Sequence, residues 1–200
     1  MIKYNNINIS FGNKTLYKDF SIEFKEKDIN FIMGESGVGK TTLIKHIMDE
    51  LILKGINISV VFQETRLLPW KNVYENLELV IKDKHNKRDR EILIKEILEK
   101  LNLKNCEKLY PHELSGGMRQ RVSIARALLF DGSIFIMDEP FKGLDKDNKD
   151  NVISFLYSYL IRKEKTAIII SHDINEIKSI KNEYIFLKGE PVISKIIDIK

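Results

Sequence analysis

The chain contains a single cysteine, Cys106, so it has neither a disulfide framework nor a redox pair of thiols. No apolar run approaches the ~20 residues needed to span a bilayer, and Met1-Ile2-Lys3-Tyr4-Asn5-Asn6 lacks the apolar core of a signal peptide. There is no strong charge of either sign: 33 basic residues face 29 acidic ones, for a net charge of only +4. The lysines are scattered and form no basic stripe, which speaks against a nucleic-acid partner. Internal repeats, low-complexity tracts and flexible linkers are also missing. These absences exclude a disulfide-stapled secreted module, a membrane-spanning protein and a basic nucleic-acid binder. What remains is a cytosolic chain of 200 residues, 43% hydrophobic, enough for one domain with a sizeable core.

Two segments stand out for their affinity for phosphate. Gly34-Glu35-Ser36-Gly37-Val38-Gly39-Lys40-Thr41, followed by Thr42, matches the P-loop pattern. In that pattern glycines let the backbone wrap the phosphates, Lys40 neutralises β and γ oxygens, and Thr41 supplies a Mg²⁺ ligand. A short apolar strand, Ile29 to Met33, runs straight into it. A helix from Thr41 to Leu53 is expected after it, closed by Lys54-Gly55. The second segment is Leu114-Ser115-Gly116-Gly117-Met118-Arg119-Gln120-Arg121, a Ser-Gly-Gly turn opening an arginine-rich helix. Free N–H groups and a positive helix end make this a phosphate cradle too. One phosphate tail does not need two cradles, so the economical arrangement lends the second to a nucleotide held by a partner chain.

Four short apolar runs each deliver polar residues at their ends. Phe31-Ile32-Met33 leads to the P-loop, Val60-Val61-Phe62 to Gln63, Ile134-Phe135-Ile136-Met137 to Asp138-Glu139, and Ala167-Ile168-Ile169-Ile170 to Ser171-His172. Runs of this kind are central strands of a parallel sheet buried on both faces. Ligands of open α/β sheets bind beyond the carboxyl ends of the strands, so the four endings are expected to gather around one nucleotide. Ile2 to Phe11 and Thr15 to Phe24 alternate as antiparallel strands. From Asn72 to about Asn105 the pattern is helical, with Ile94, Ile97, Leu98 and Leu101 as one apolar stripe.

The P-loop, Gln63, the Leu114-Ser115-Gly116-Gly117 turn, Asp138-Glu139, Leu144-Asp145 and His172 occur in the order of an ABC-type ATPase domain, which the chain resembles over nearly its whole length. Gln63 through Trp70 and Asp138-Glu139-Pro140-Phe141 look like the ATPases of nitrate, sulfonate and taurine importers. The resemblance implies an α/β P-loop NTPase: a mainly parallel central sheet, an N-terminal antiparallel β layer and a helical lobe at about 72–122, all in one domain over 1–200. It implies ATP and Mg²⁺ as ligands, with phosphate contacts from residues 34 to 42 (Gly34, Glu35, Ser36, Gly37, Val38, Gly39, Lys40, Thr41, Thr42). Ser115, Gly116 and Gly117 would contact the partner chain's nucleotide. Asp138 and Thr41 would hold Mg²⁺, with Gln63 touching the ion and its water and reporting nucleotide state to the membrane subunit. Glu139 would be the general base, Pro140 would begin the next turn and aim the two carboxylates apart, and His172 would reach the γ-phosphate.

The implied partners are a second ATPase chain, identical or paralogous, joined head to tail, together with membrane permease subunits and an extracytoplasmic solute-binding protein. The implied location is the cytoplasmic face of the membrane. A soluble ABC-type ATPase of DNA repair or translation is the alternative, but the coiled-coil insert, second ATPase domain or basic arm of such proteins is not in the sequence. Phe11 has two readings, a platform under adenine or a core aromatic of the β layer. Leu67, Leu68 and Trp70 likewise divide between a permease groove and the core. Only 22 residues, 41 to 62, separate Lys40 from Gln63, and the strand pair usual after the first helix is missing, which puts the antiparallel layer in question. Lys142 and Gly143 stand where small residues are common. With the sequence ending at Lys200, no C-terminal regulatory domain is expected. Asn86-Lys87-Arg88-Asp89 spells a guanine-reading motif but follows no apolar strand, so it is expected to be coincidental. His46, His85 and His112 lack the neighbours of metal ligands.

Overall fold

The computed structural model describes residues 1–199, apart from the side chain of Asp147. By its internal contacts the chain forms two compact units. The first comprises residues 1–58, 133–139 and the chain from Leu160 onward; the second comprises 59–132 and 140–159.

In the first unit, β1 (Ile2–Phe11) and β2 (Lys14–Phe24) pair antiparallel, so the antiparallel layer is present as a two-stranded sheet. Its pairing is less regular than simple alternation predicts. The register shifts between Tyr4 and Ile7 and again between Ile7 and Ile9, and Asn6 and Asp19 adopt left-handed backbone. Asn8 Oδ1 accepts from the Asp19 amide at 2.9 Å there. Such bulges add local twist, and Tyr4, Ile7, Tyr17, Phe20, Ile22 and Phe24 all still reach the core.

The larger sheet of this unit is built from β3 (Ile29–Gly34), β5 (Ile134–Asp138), β6 (Thr166–Ile170), β7 (Glu183–Lys188) and β8 (Ile193–Asp198), in the order β5-β6-β3-β7-β8. The first four are parallel and β8 runs antiparallel to β7. Every residue of β5 and β6 is buried, as continuous apolar runs require. Helix α1 (Lys40–Leu53) turns Leu43, Ile44, Ile47 and Leu51 to the core. It ends in a glycine cap: the Gly55 amide donates to Ile52 O at 2.9 Å and the Ile56 amide to Leu51 O at 3.0 Å. From that cap the chain passes directly to β4 (Ile58–Val61), which carries it into the second unit.

The second unit holds α2 (Val73–Glu78), α3 (Lys87–Lys100), the 3₁₀ turn Pro111–Glu113, α4 (Gly116–Phe130) and most of α5 (Lys146–Arg162). The expected stripe Ile94, Ile97, Leu98 and Leu101 is buried, together with Val73, Leu77, Leu114, Val122, Ile124 and Leu128. Asn86 is the N-cap of α3, accepting from the Asp89 amide at 3.0 Å, so the guanine-like motif is a helix start.

Candidate functional site

In the first unit β3 opens into the P-loop. The loop is glycine-rich because two of its positions have no room for a side chain. A Cβ on Gly34 would lie 2.5 Å from Leu187 O. At Gly39, with φ +104, it would lie 2.8 Å from Leu16 Cδ2. The Tyr17 hydroxyl donates to Gly39 O at 3.0 Å, so β2 supports the loop directly. Gly39 is also the N-cap of α1 and has no side chain to cap it, leaving first-turn amides available to an anion. Lys40 lies buried inside the loop and donates to Gly34 O at 2.8 Å and Glu35 O at 2.7 Å. Burial pulls its pKa down, against the opposing pull of the Glu139 and Asp138 carboxylates.

The two acids at the end of β5 have different surroundings. Asp138 is buried and accepts from the Thr41 hydroxyl at 3.0 Å. Desolvation pushes its pKa up, the Thr41 bond opposes this, and the Glu139 charge adds to the rise. Glu139 takes left-handed backbone, φ +50, while its amide donates to Ile170 O at 3.0 Å. Its Oε1 is 2.9 Å from Nε2 of His172, which sits exposed just past the end of β6. A left-handed glutamate costs on the order of 1–3 kcal/mol, a strain that gathers at functional positions. Glu139 carries this left-handed backbone immediately before Pro140, where sequence reasoning expected the two carboxylates to part. Lys40, Thr41, Asp138, Glu139 and His172 thus meet beyond the carboxyl ends of β3, β5 and β6. Phe11, at the end of β1, is 60% exposed, which removes the core reading and leaves an aromatic face open.

The second unit carries the other cradle. Ser115 is the N-cap of α4, its Oγ accepting from the Met118 amide at 3.1 Å. Gly116 faces open space apart from Arg119 Nη2 at 4.0 Å, whereas a Cβ on Gly117 would meet Gly143 O at 2.9 Å. The two arginines of the first turns of α4 bond to backbone and side-chain groups of their own unit. Arg119 Nη1 donates to Leu114 O at 2.6 Å and Pro111 O at 3.3 Å. Arg121 Nη1 donates to Leu101 O at 2.9 Å, Asn102 O at 2.8 Å and Asn148 Oδ1 at 3.0 Å. Asn148 in turn donates to Asp145 at 2.8 Å, which holds that carboxyl below its ordinary pKa. Sequence reasoning missed this network, because nothing in the local pattern tells an inward arginine from an outward one.

Gln63 is exposed at the end of β4 and lies in the second unit. Beyond it, Leu67 and Leu68 are half-buried and Trp70 is 70% exposed, so Trp70 is not a core residue. His46 pairs with Glu50 one helical turn on, at 3.1 Å. No group of three or more His, Cys, Asp or Glu able to hold a metal occurs among the described residues. The Thr41 hydroxyl and Asp138 carboxylate instead fit a hard cation that takes its remaining ligands from phosphate and water, the habit of Mg²⁺. None of the described helices is long and apolar enough to cross a membrane.

Fold and site together define a P-loop nucleoside triphosphatase. The profile of the ABC transporter family matches residues 17–142. The aliphatic sulfonates import ATP-binding protein of Bacillus cereus is 36% identical, over 94% of this chain and 80% of that protein. The taurine import ATP-binding protein of Shigella boydii is 32% identical, over 96% of this chain and 81% of that protein. A solved dimeric bacterial ABC transporter cassette aligns with a TM-score of 0.86 and 28% identity, covering 100% of this chain and 99% of that one. A post-hydrolysis dimer of an ATP-binding cassette bound to ADP and Pi aligns with the same score at 27% identity. This chain belongs to the ABC transporter family.

Proposed function

We propose that the chain is the ATP-hydrolysing subunit of an ABC importer, working as a head-to-tail dimer, with an identical or paralogous partner, beneath a separate membrane permease. The observation that carries this is the division of labour at the end of β5. Asp138 is joined to the P-loop threonine, while Glu139, one residue on, is swung away to His172. Two carboxylates in unlike surroundings take unlike roles. Amides of residues 34–42 surround the phosphates, and Lys40 exchanges its two loop carbonyls for β and γ oxygens. Thr41, Asp138 and Gln63 would hold Mg²⁺, which when bound neutralises charge developing on the phosphates. Glu139 accepts a proton of the attacking water, and His172 donates toward the γ-phosphate while keeping the Glu139 carboxylate aimed. Phe11 stacks under the adenine. The free face of Ser115, Gly116 and Gly117 takes the γ-phosphate held by the partner chain, so ATP closes the dimer and hydrolysis reopens it.

The relatives' substrates point to a small sulfonate-, taurine- or nitrate-like solute, brought by an extracytoplasmic binding protein, with this chain on the cytoplasmic face of the membrane. They give no support to a role in DNA repair or translation. Trp70 and the two leucines before it form the apolar part of the permease groove. The test is Glu139→Gln. Hydrolysis should fall roughly 10²–10⁴-fold while ATP is still bound and a dimer accumulates on gel filtration. Near wild-type hydrolysis by the variant would remove Glu139 as the base.

A further inference from the structure

The segment after Gln63 is partly exposed, carries no regular secondary structure over 62–72, and would be expected to bend freely. Yet it is held at three places, all within the second unit. Near its start, the Arg66 guanidinium lies 3.9 Å over the Phe62 ring, and Arg66 adopts left-handed backbone, φ +45, which folds the chain back on itself. Behind this turn Arg126 of α4 reaches two successive carbonyls, donating from Nη2 to Thr65 O at 3.1 Å and from Nη1 to Arg66 O at 3.0 Å.

The far end is fastened by Asn76 of α2, whose side chain is fully buried. Its Oδ1 accepts from the Leu68 amide at 2.8 Å. Its Nδ2 faces Leu68 O at 3.2 Å, Lys71 O at 2.9 Å and Asn72 O at 3.0 Å. Between these carbonyls the turn Leu68-Pro69-Trp70-Lys71 is closed by the Lys71 amide donating to Leu68 O at 3.1 Å. Trp70 stands at its tip, largely exposed.

We propose that Arg126 and Asn76, assisted by Arg66, are positioning residues that make the segment from Gln63 to Asn72 one stiff piece, so that a displacement of Gln63 arrives at Trp70. Neither residue touches nucleotide or reacting atoms. Each acts through the backbone it holds, and a coupling element needs this: two discrete positions transmit, whereas a loop that bends absorbs the shift. Arg126 is suited to the task because its rigid planar fork fixes two carbonyls from two separate nitrogens, whereas a lysine would reach them from one freely rotating ammonium. This inference rests on the proposed role of Gln63 as nucleotide reporter.

Trp70 is the only tryptophan in the chain, so the far end of the segment carries its own probe. In a Glu139→Gln background, ATP occupancy is measured by equilibrium dialysis with labelled ATP, and Trp70 emission is recorded at the same concentrations. With Arg66, Arg126 and Asn76 intact, emission should follow occupancy. Arg126→Lys and Asn76→Ser should bind ATP with about the same affinity but lose roughly threefold or more of the Trp70 response. Melting curves identify any variant that fails to fold; Arg66→Ala, at an exposed position, then carries the test and should lose part of the response. Full Trp70 responses in the folded variants would overturn the proposal. So would a silent Trp70 at saturating ATP with Arg66, Arg126 and Asn76 intact. If that protein binds no labelled ATP at all, it is the ATPase reading that falls.

Discussion

The two glycines of the second cradle are adjacent in sequence and have opposite surroundings in space, and replacing each by alanine separates phosphate contact from packing. At Gly117 a new Cβ would sit 2.9 Å from Gly143 O, and the next contact is Leu144 Cδ2 at 3.5 Å. The clashing atom is backbone, so the turn at 141–144 or the start of α4 must shift, an overpacking cost of about 1–3 kcal/mol. The helix-propensity gain of alanine over glycine, up to about 1 kcal/mol, offsets part of this. The middles of the two ranges leave a net loss of about 1.5 kcal/mol, which corresponds to a fall in melting temperature of roughly 3–6 °C for a domain of this size. At Gly116 the Cβ has open space, so the propensity gain stands alone, and Gly116→Ala should melt at the wild-type temperature or up to roughly 4 °C above it. Both variants should lose hydrolysis: Gly116→Ala by putting a methyl in the phosphate's path, Gly117→Ala by moving the cradle, where a 1 Å error costs on the order of 10²-fold. Thermal melting without nucleotide, followed by circular dichroism, and phosphate release with ATP measure the two effects separately. Gly117→Ala melting with the wild type, or Gly116→Ala melting well below it, would refute the packing argument.

Sharing of cradles between chains is tested by mixing Lys40→Ala with Ser115→Arg, each inactive alone. Half of randomly formed dimers are mixed and hold one intact site, so roughly a quarter of wild-type activity should return if the sites are independent. Mixed dimers confirmed by mass but inactive would count against sharing. The Ser115 variant also loses the α4 cap, about 1 kcal/mol, so its melting temperature must be checked first. Asp138 gives a pH prediction. Its pKa is higher in the folded chain than in the unfolded one, because burial disfavours its charge. The folded state therefore keeps that proton longer, and the contribution to stability falls as pH rises from the ordinary carboxylate range through the raised value. Without metal, Asp138→Asn should be the more heat-stable protein at neutral pH, the gap closing as pH drops below the ordinary carboxylate range, and Mg²⁺ with ATP should stabilise the variant less than the wild type. A variant less stable than wild type at neutral pH, without metal, would remove the desolvation argument.

Where function rests on local pattern, the sequence is readable. An apolar run ending in a polar pair marks a buried strand and the polar residues at its carboxyl end together, which is why the gathering of Asp138, Glu139 and His172 could be anticipated. The stripe Ile94, Ile97, Leu98 and Leu101 needs only helical spacing to be recognised. What could not be read depends on partners far along the chain. Glu139 is left-handed with its amide bonded to Ile170, and glutamate carries no sign of such a backbone. Arg121 looks like a surface cation until Leu101, Asn102 and Asn148 come around it. Gly117 looks like part of a phosphate turn, and only Gly143 reveals its second duty. Asn6 and Asp19 shift a register that alternation alone would keep.

The hydroxyl of Tyr17 on the carbonyl of Gly39 carries a thermodynamic consequence. That contact, with Leu16 packed where a Gly39 side chain would go, makes the hairpin of β1 and β2 part of the loop's working shape. A molecule whose hairpin has frayed is one whose loop has lost a wall, and only the fraction with an intact hairpin takes up ligand at full strength. Apparent affinity is the intrinsic affinity scaled by that fraction. Mutations in β1 or β2 other than at Phe11, remote from every phosphate, can therefore weaken ATP binding without altering a single ligand contact. Saturating ATP should conceal them, by drawing the population back to the closed hairpin.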